Sequence, residues 1–107
     1  SKSVKLKVMK VKVSSLHFNA DQKLIDFANE KVNKLEKFYD KIIDGNVTFR
    51  VDNAEDRENK LAEIKLNIPG KELFAKKQSE SFEKSVDEAV EALRRQLQKH
   101  KEKLVSA

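Results

Sequence analysis

Near the end of the chain, RRQLQKHKEK places Arg94, Arg95, Lys99, Lys101 and Lys103 within ten residues, with His100 and a single acid, Glu102. The ten residues before it, Lys84–Leu93, are net acidic. The stretch holds no serine, threonine or cysteine and no base set beside an activated nucleophile, so the chemistry it offers is electrostatic: lysine and arginine holding an anion such as a phosphate. A simpler origin competes with that. Acids early and bases late in a helix each gain about 0.3–1 kcal/mol from the helix dipole, with no partner involved. The dipole accounts less well for the density, since Lys99, Lys101 and Lys103 lie close enough to repel one another. Pattern alone leaves a solvated charged face and an anion-binding face both open.

On a helical wheel at about 100° per residue, Leu93, Leu97 and Leu104 fall within about 40° of each other, and the charges take two flanks. Arg95, Lys99 and Lys103 follow i, i+4, i+8 in one stripe, while Arg94 and Lys101 lie together on the other side. An earlier segment behaves similarly. Lys23, Lys34, Lys37 and Lys41 share one flank there, with Glu30 among them. If both segments are helices packed side by side, these flanks border one groove or surface spaced to meet phosphates.

The elements that must carry these residues are legible in the hydrophobic periodicity. Val4, Leu6 and Val8 alternate on one parity and Met9, Val11 and Val13 on the other. One flat strand cannot keep both sets on one face, so either a bulge sits near Val8 and Met9 or residues 1–8 extend a strand that begins at Met9. The second alternative is preferred. Asn19 with Gln22 fits a reciprocal N-cap, and Leu24, Ala28, Val32, Leu35 and Tyr39 then recur at the helical period, predicting a helix from about Ala20 to Tyr39. Val47, Phe49 and Val51 alternate as a strand, DNAEDRENK is a polar turn, and Ala62, Ile64, Leu66 and Ile68 form another strand. Pro69 and Gly70 make a turn into a fourth strand, Glu72–Lys77. Ser79 or Ser81 caps a second helix whose apolar stripe is Phe82, Val86, Ala89, Val90, Leu93, Leu97 and Leu104. Phe74 is expected in the core, although Leu73 and Ala75 compete for the inward side; on the open sheet face it would instead serve as an aromatic partner for RNA bases. The expected fold is a two-layer α+β domain, β-α-β-β-β-α, with two helices on one face of a four-stranded sheet and the other face in water.

With 107 residues the chain makes one domain, residues 1–107, able to bury roughly 65% of its unfolded surface. Residues 1–8 are read as an extension or an addition to it. Charged and hydrophobic residues each make up 38%, and the net charge is +5. An anionic partner follows, nucleic acid first. The sum says less than the distribution, because without residues 1–8 the balance falls to +2. With no cysteine there is no disulfide or thiolate metal site, and no apolar run approaches a membrane span of roughly 20 residues, so a cytosolic protein with no membrane role is expected. Two glycines make no phosphate-cradling loop, and His17 and His100 lack a second ligand at metal-binding spacing. No enzyme, metal, cofactor or small-molecule substrate is expected, because nucleophile, base and orienter cannot be proposed together.

The run KLEKFYDKI, Lys34–Ile42, resembles the end of the first helix of the ribosome hibernation-promoting factors, also called ribosome-associated inhibitors. RRQLQKHKEKL, Arg94–Leu104, resembles the end of their second helix, and the likeness extends from Met9 to Leu104, including the PGKELFAKK hairpin. That resemblance implies a β-α-β-β-β-α protein that binds the small ribosomal subunit through 16S rRNA in the mRNA and tRNA channel. It implies reversible inhibition of translation in starvation or stationary phase, a stress response that favours inactive ribosome dimers. The family's rRNA-facing positions map onto Lys34, Lys37, Lys41, Arg95, Lys99, Lys101 and Lys103, with secondary contacts at Lys23, Arg94 and His100. Ser81 and Glu83 depart from an Asp and a Tyr frequent at the start of the family's second helix. Ending at Ala107, the chain resembles the short type, without the further C-terminal domain of long members or the acidic tail of the inhibitor-like branch.

Two alternatives stand beside this expectation. One is a protein-interaction module whose open sheet face, with Lys10, Lys12, Arg50 and Lys65, or charged helices dock a partner or a second copy. The other is a generic double-stranded RNA binder, disfavoured because no separate basic loop is available for a second groove.

Overall fold

The computed structural model describes residues 10–16, 20–51 and 59–106. Six elements follow in the order β1 (Lys10–Leu16), α1 (Gln22–Phe38), β2 (Asp44–Val51), β3 (Lys60–Ile68), β4 (Lys71–Ser79) and α2 (Phe82–Ser106). The readings placed on residues 1–8, on Met9, on His17, on Asn19, on most of the turn after β2 and on the side chains of Lys10 and Leu104 lie outside the described residues. The sheet order is β1-β2-β3-β4, with β1 parallel to β2 and the other pairs antiparallel. Both helices cover one face, as the α+β reading requires.

Register explains the burial. Val47, Ile64 and Ala75 are cross-strand neighbours and all point to the helices, as do Leu66 and Leu73. Phe49, fully buried, meets the ring of Phe82 edge-on at 5.2 Å between centroids. From the helices come Ala28, Val32 and Leu35 of α1 and Val86, Ala89, Leu93 and Leu97 of α2. Gly45 of β2 lets α1 settle onto the sheet: a Cβ there would stand 3.2 Å from Leu66 Cδ2 and 3.4 Å from Val32 Cγ1.

Helix α1 is capped two residues later than Asn19. Asp21 is its N-cap, accepting a 2.9 Å hydrogen bond from the Leu24 amide, and Gln22 donates to Asp26 Oδ1. Ser81 does the same for α2, accepting from the Lys84 amide at 3.1 Å. Ser79 belongs instead to a buried hydroxyl pair, 2.8 Å from Ser85 Oγ, which donates to the Lys60 carbonyl.

The β3–β4 hairpin turns at Pro69 and Gly70, and Gly70 has φ +78°. These are the two central positions of a type II turn, the second of which demands a left-handed backbone. Gly70→Ala is expected to cost about 1 kcal/mol, seen as a 4–8 °C fall in thermal midpoint. An unchanged midpoint would show that the turn relaxes freely.

One expectation fails. Phe74 is 47% exposed on the face opposite the helices, because its cross-strand partner is Lys65, while Leu73 and Ala75 take the inward positions.

Candidate nucleic-acid interface

Contacts between the helices climb both chains together. Lys31 Nζ lies 3.1 Å from Asp87 Oδ1; seven residues on, Phe38 lies under Arg94 and Lys101, and Tyr39 meets the His100 ring. The two helices therefore run side by side in the same direction. Their C-terminal ends, each carrying about half a negative charge on unpaired carbonyls, meet at one end of the domain.

This geometry explains why basic residues gather there. Lys101 Nζ donates to the Phe38 carbonyl at 3.1 Å and stands 4.5 Å from the centre of the Phe38 ring, so one helix supplies a cationic C-cap for the other. Arg94 lies 5.3 Å from the same ring centre. His100 packs edge-to-face on Tyr39 at 5.7 Å. Lys101 and His100 are half-buried by these contacts. Lys101→Met is expected to lower stability by about 1 kcal/mol in urea unfolding, with Arg95→Met within about 0.5 kcal/mol of the parent. Equal effects would remove the capping role.

Between the helices runs an open groove floored by Leu35, Phe38 and Val90 and bordered by Lys31, Lys34, Lys37, Asp87, Glu91 and Arg94. Lys34, Lys37 and Arg94 are exposed along it, and Lys41 is exposed in the turn beyond α1. The other stripe, Arg95, Lys99 and Lys103, is also exposed, but it is absent from the groove lining and lies on the flank of α2 turned toward β4. That flank is marked by Gln96, whose side-chain amide donates to the Phe74 carbonyl at 3.0 Å. The two basic flanks of α2 thus do not border one groove, as the wheel suggested. They rise on either side of its outer ridge.

Lys23 is not brought to this end. It sits in the first turn of α1, fourteen residues before Lys37, or about 21 Å along the axis. Among the described residues, Lys34, Lys37, Lys41, Arg95, Lys99 and Lys103 make no ion pair. Glu102, the one acid in the basic run, accepts from Gln98 at 2.9 Å. The surface is a set of unneutralised cations fixed by two helix ends, suited to several phosphates at once. Sequence reasoning missed Phe38 as the ring beneath two cations. Its position between Lys37 and Tyr39, next to the buried Leu35, was the available signal.

Among the described residues no helix is long and apolar enough to cross a membrane, and no group of three or more His, Asp or Glu is placed to hold a metal ion.

The model of the family described as Sigma 54 modulation protein / S30EA ribosomal protein matches residues 11–105. A ribosome hibernation promoting factor of Pseudomonas putida is 35% identical over 95 residues, covering 89% of each chain. One from Azotobacter vinelandii is 30% identical over 97 residues, covering 91% of this chain and 87% of that one. In three dimensions the fold is similar to a ribosomal subunit interface protein from Coxiella burnetii, with TM-score 0.76 at 20% identity over 87% of this chain and 98% of that one. The family is one of ribosomal and hibernation proteins, not of enzymes. With 95 residues matched and both basic helix ends inside the match, the chain belongs to the Sigma 54 modulation protein / S30EA ribosomal protein family.

Proposed function

We propose that this protein is a cytosolic ribosome hibernation factor. It binds the small ribosomal subunit through 16S rRNA in the mRNA and tRNA channel, inhibits translation reversibly and favours inactive ribosome dimers, as part of a stationary-phase stress response. The observation that carries the reading is the unneutralised cluster Lys34, Lys37, Lys41, Arg95, Lys99 and Lys103 at the paired C-terminal ends of α1 and α2. Family membership supports it, together with the names of the relatives.

The mechanism is steric occupation with electrostatic anchoring. Each lysine or arginine that meets an rRNA phosphate releases condensed counterions, and the gain is entropic and salt-dependent. The rigid helix pair presents its cations without reordering the backbone, so little binding energy goes into organisation. Shape selects the site, since one folded rRNA surface needs no base-by-base reading. Lys101 acts mainly by holding the end of α1 in place, which makes it a poor choice for a charge-reversal test.

Cosedimentation with small subunits across a salt series tests the reading. Four to six phosphate contacts imply a fall in affinity of about 100- to 1,000-fold between 50 and 200 mM salt. Binding indifferent to salt would exclude electrostatic anchoring.

A further inference from the structure

The face of the sheet opposite the helices carries a pattern that the helix-end cluster leaves unused. Register sets Lys12, Asn46, Lys65 and Phe74 in one row across all four strands, with Phe74 on the outermost, β4. Lys12, Asn46, Lys65 and Phe74 are all exposed. At the usual strand spacing the row spans about 14 Å. Its neighbour runs Ser14, Thr48, Glu63 and Lys76, and there Glu63 is engaged by Arg50 at 3.4 Å. Among the described residues Lys12, Lys65 and Lys76 make no ion pair. These two rows are thus cationic around one exposed aromatic ring, while the row on their other side, Asp44, Asn67 and Glu72, is acidic and bounds the patch.

A ring whose face is open and whose cross-strand neighbour is a lysine with no ion pair among the described residues is chemically suited to a nucleotide. The base stacks on Phe74, and the attached phosphate meets Lys65, about 5 Å away in cross-strand geometry. Asn46 and Thr48 offer amide and hydroxyl groups to base edges or to a 2′-hydroxyl. A second copy of the chain fits the face poorly. Stable protein contacts bury about 800 Å² per partner around an apolar centre, whereas this row has one apolar side chain, and two such faces would oppose like charges.

We propose that the open sheet face binds a single-stranded RNA segment, with a base stacked on Phe74 and the backbone held by Lys12, Lys65 and Lys76. A duplex offers Phe74 no free base to stack, because its bases are already stacked and paired. The backbone under Phe74 is fixed from behind: its carbonyl accepts from Gln96 of α2, which ties the edge strand to the helix. The site lies across the sheet from the groove between the helices, so the two surfaces can be occupied together.

The test uses the full chain. It contains no tryptophan, so a Phe74→Trp variant places the only tryptophan at the proposed stacking position, excited selectively over Tyr39 at the red edge of its absorption. Titration with a single-stranded oligoadenylate twelve nucleotides long is expected to quench this fluorescence, whereas a duplex of the same length leaves it unchanged. In parallel, Phe74→Ala is expected to weaken binding of the labelled single strand about 5- to 150-fold, with circular dichroism unchanged. Charge reversals at Lys37, Arg95 and Lys99 are expected to lower ribosome binding while leaving the quenching at saturating oligonucleotide in place, so this surface and the helix-end surface fail separately. Equal quenching by the duplex, or affinity of Phe74→Ala within twofold of the parent, would overturn the proposal. Concentration-dependent self-association abolished by Phe74→Ala, with no quenching by the single strand, would overturn it in favour of a second copy.

Discussion

Replacing Lys37, Arg95 and Lys99 together by Glu is expected to lower affinity for the small subunit at least about 500-fold at 0.1 M salt. The figure follows from counterion release, since each phosphate contact contributes roughly an eightfold gain at that salt, relative to 1 M. Loss of three contacts accounts for the whole factor, and the introduced carboxylates add repulsion. The salt slope should flatten by about three, which separates lost phosphate contacts from a damaged fold. All three side chains are exposed and make no ion pair among the described residues, so thermal stability should stay within about 1 kcal/mol of the parent. Reversal of Lys23 is expected to change affinity less than threefold, because it stands about two Debye lengths from Lys37. Equal effects of the triple variant and of Lys23 would place the interface elsewhere.

The second large effect is on folding. Phe49 is fully buried at the centre of β2, flanked by Ala62 across the ladder and by the edge-on ring of Phe82 from the start of α2. Phe49→Ala should cost about 3–5 kcal/mol, the transfer of a large ring plus the cavity left behind. A domain of this size has about 5–15 kcal/mol in total, so the variant retains a small margin. Its thermal midpoint should fall by at least about 12 °C. A loss below about 1 kcal/mol would mean that Phe82 and the sheet close over the space.

Most of the fold was legible because the two periodicities do not overlap. Val47, Phe49 and Val51 repeat every second residue, and Val86, Ala89, Leu93 and Leu97 repeat every third or fourth, so element type follows directly. Phe74 was misread for a reason of the same kind. With Leu73, Phe74 and Ala75 consecutive and apolar, alternation loses its phase, and only pairing with Ile64, Lys65 and Leu66 of β3 decides which side is inward. The cap at Asp21 was displaced to Asn19 because Gln22 looked like a reciprocal partner, whereas in the structure it reaches forward to Asp26.

The site was legible in type and less so in arrangement. Density of lysine and arginine is a local property, and sequence displays it. That α1 and α2 run in the same direction is a consequence of the parallel β1–β2 pair, and it is this that brings Lys37, Lys99 and Lys103 to one end and leaves Lys23 at the other. The contact from Lys101 to the Phe38 carbonyl joins residues 63 positions apart, and no pattern within either helix announces it.

Chemical protection of 16S rRNA in small subunits saturated with this protein tests the central claim most directly. Protection is predicted in the mRNA and tRNA channel, present with the parent and with the Lys23 reversal, and lost with the Lys37, Arg95 and Lys99 reversal at matched protein concentration. Protection confined to other surfaces of the subunit, or channel protection undiminished by the reversal, would contradict it.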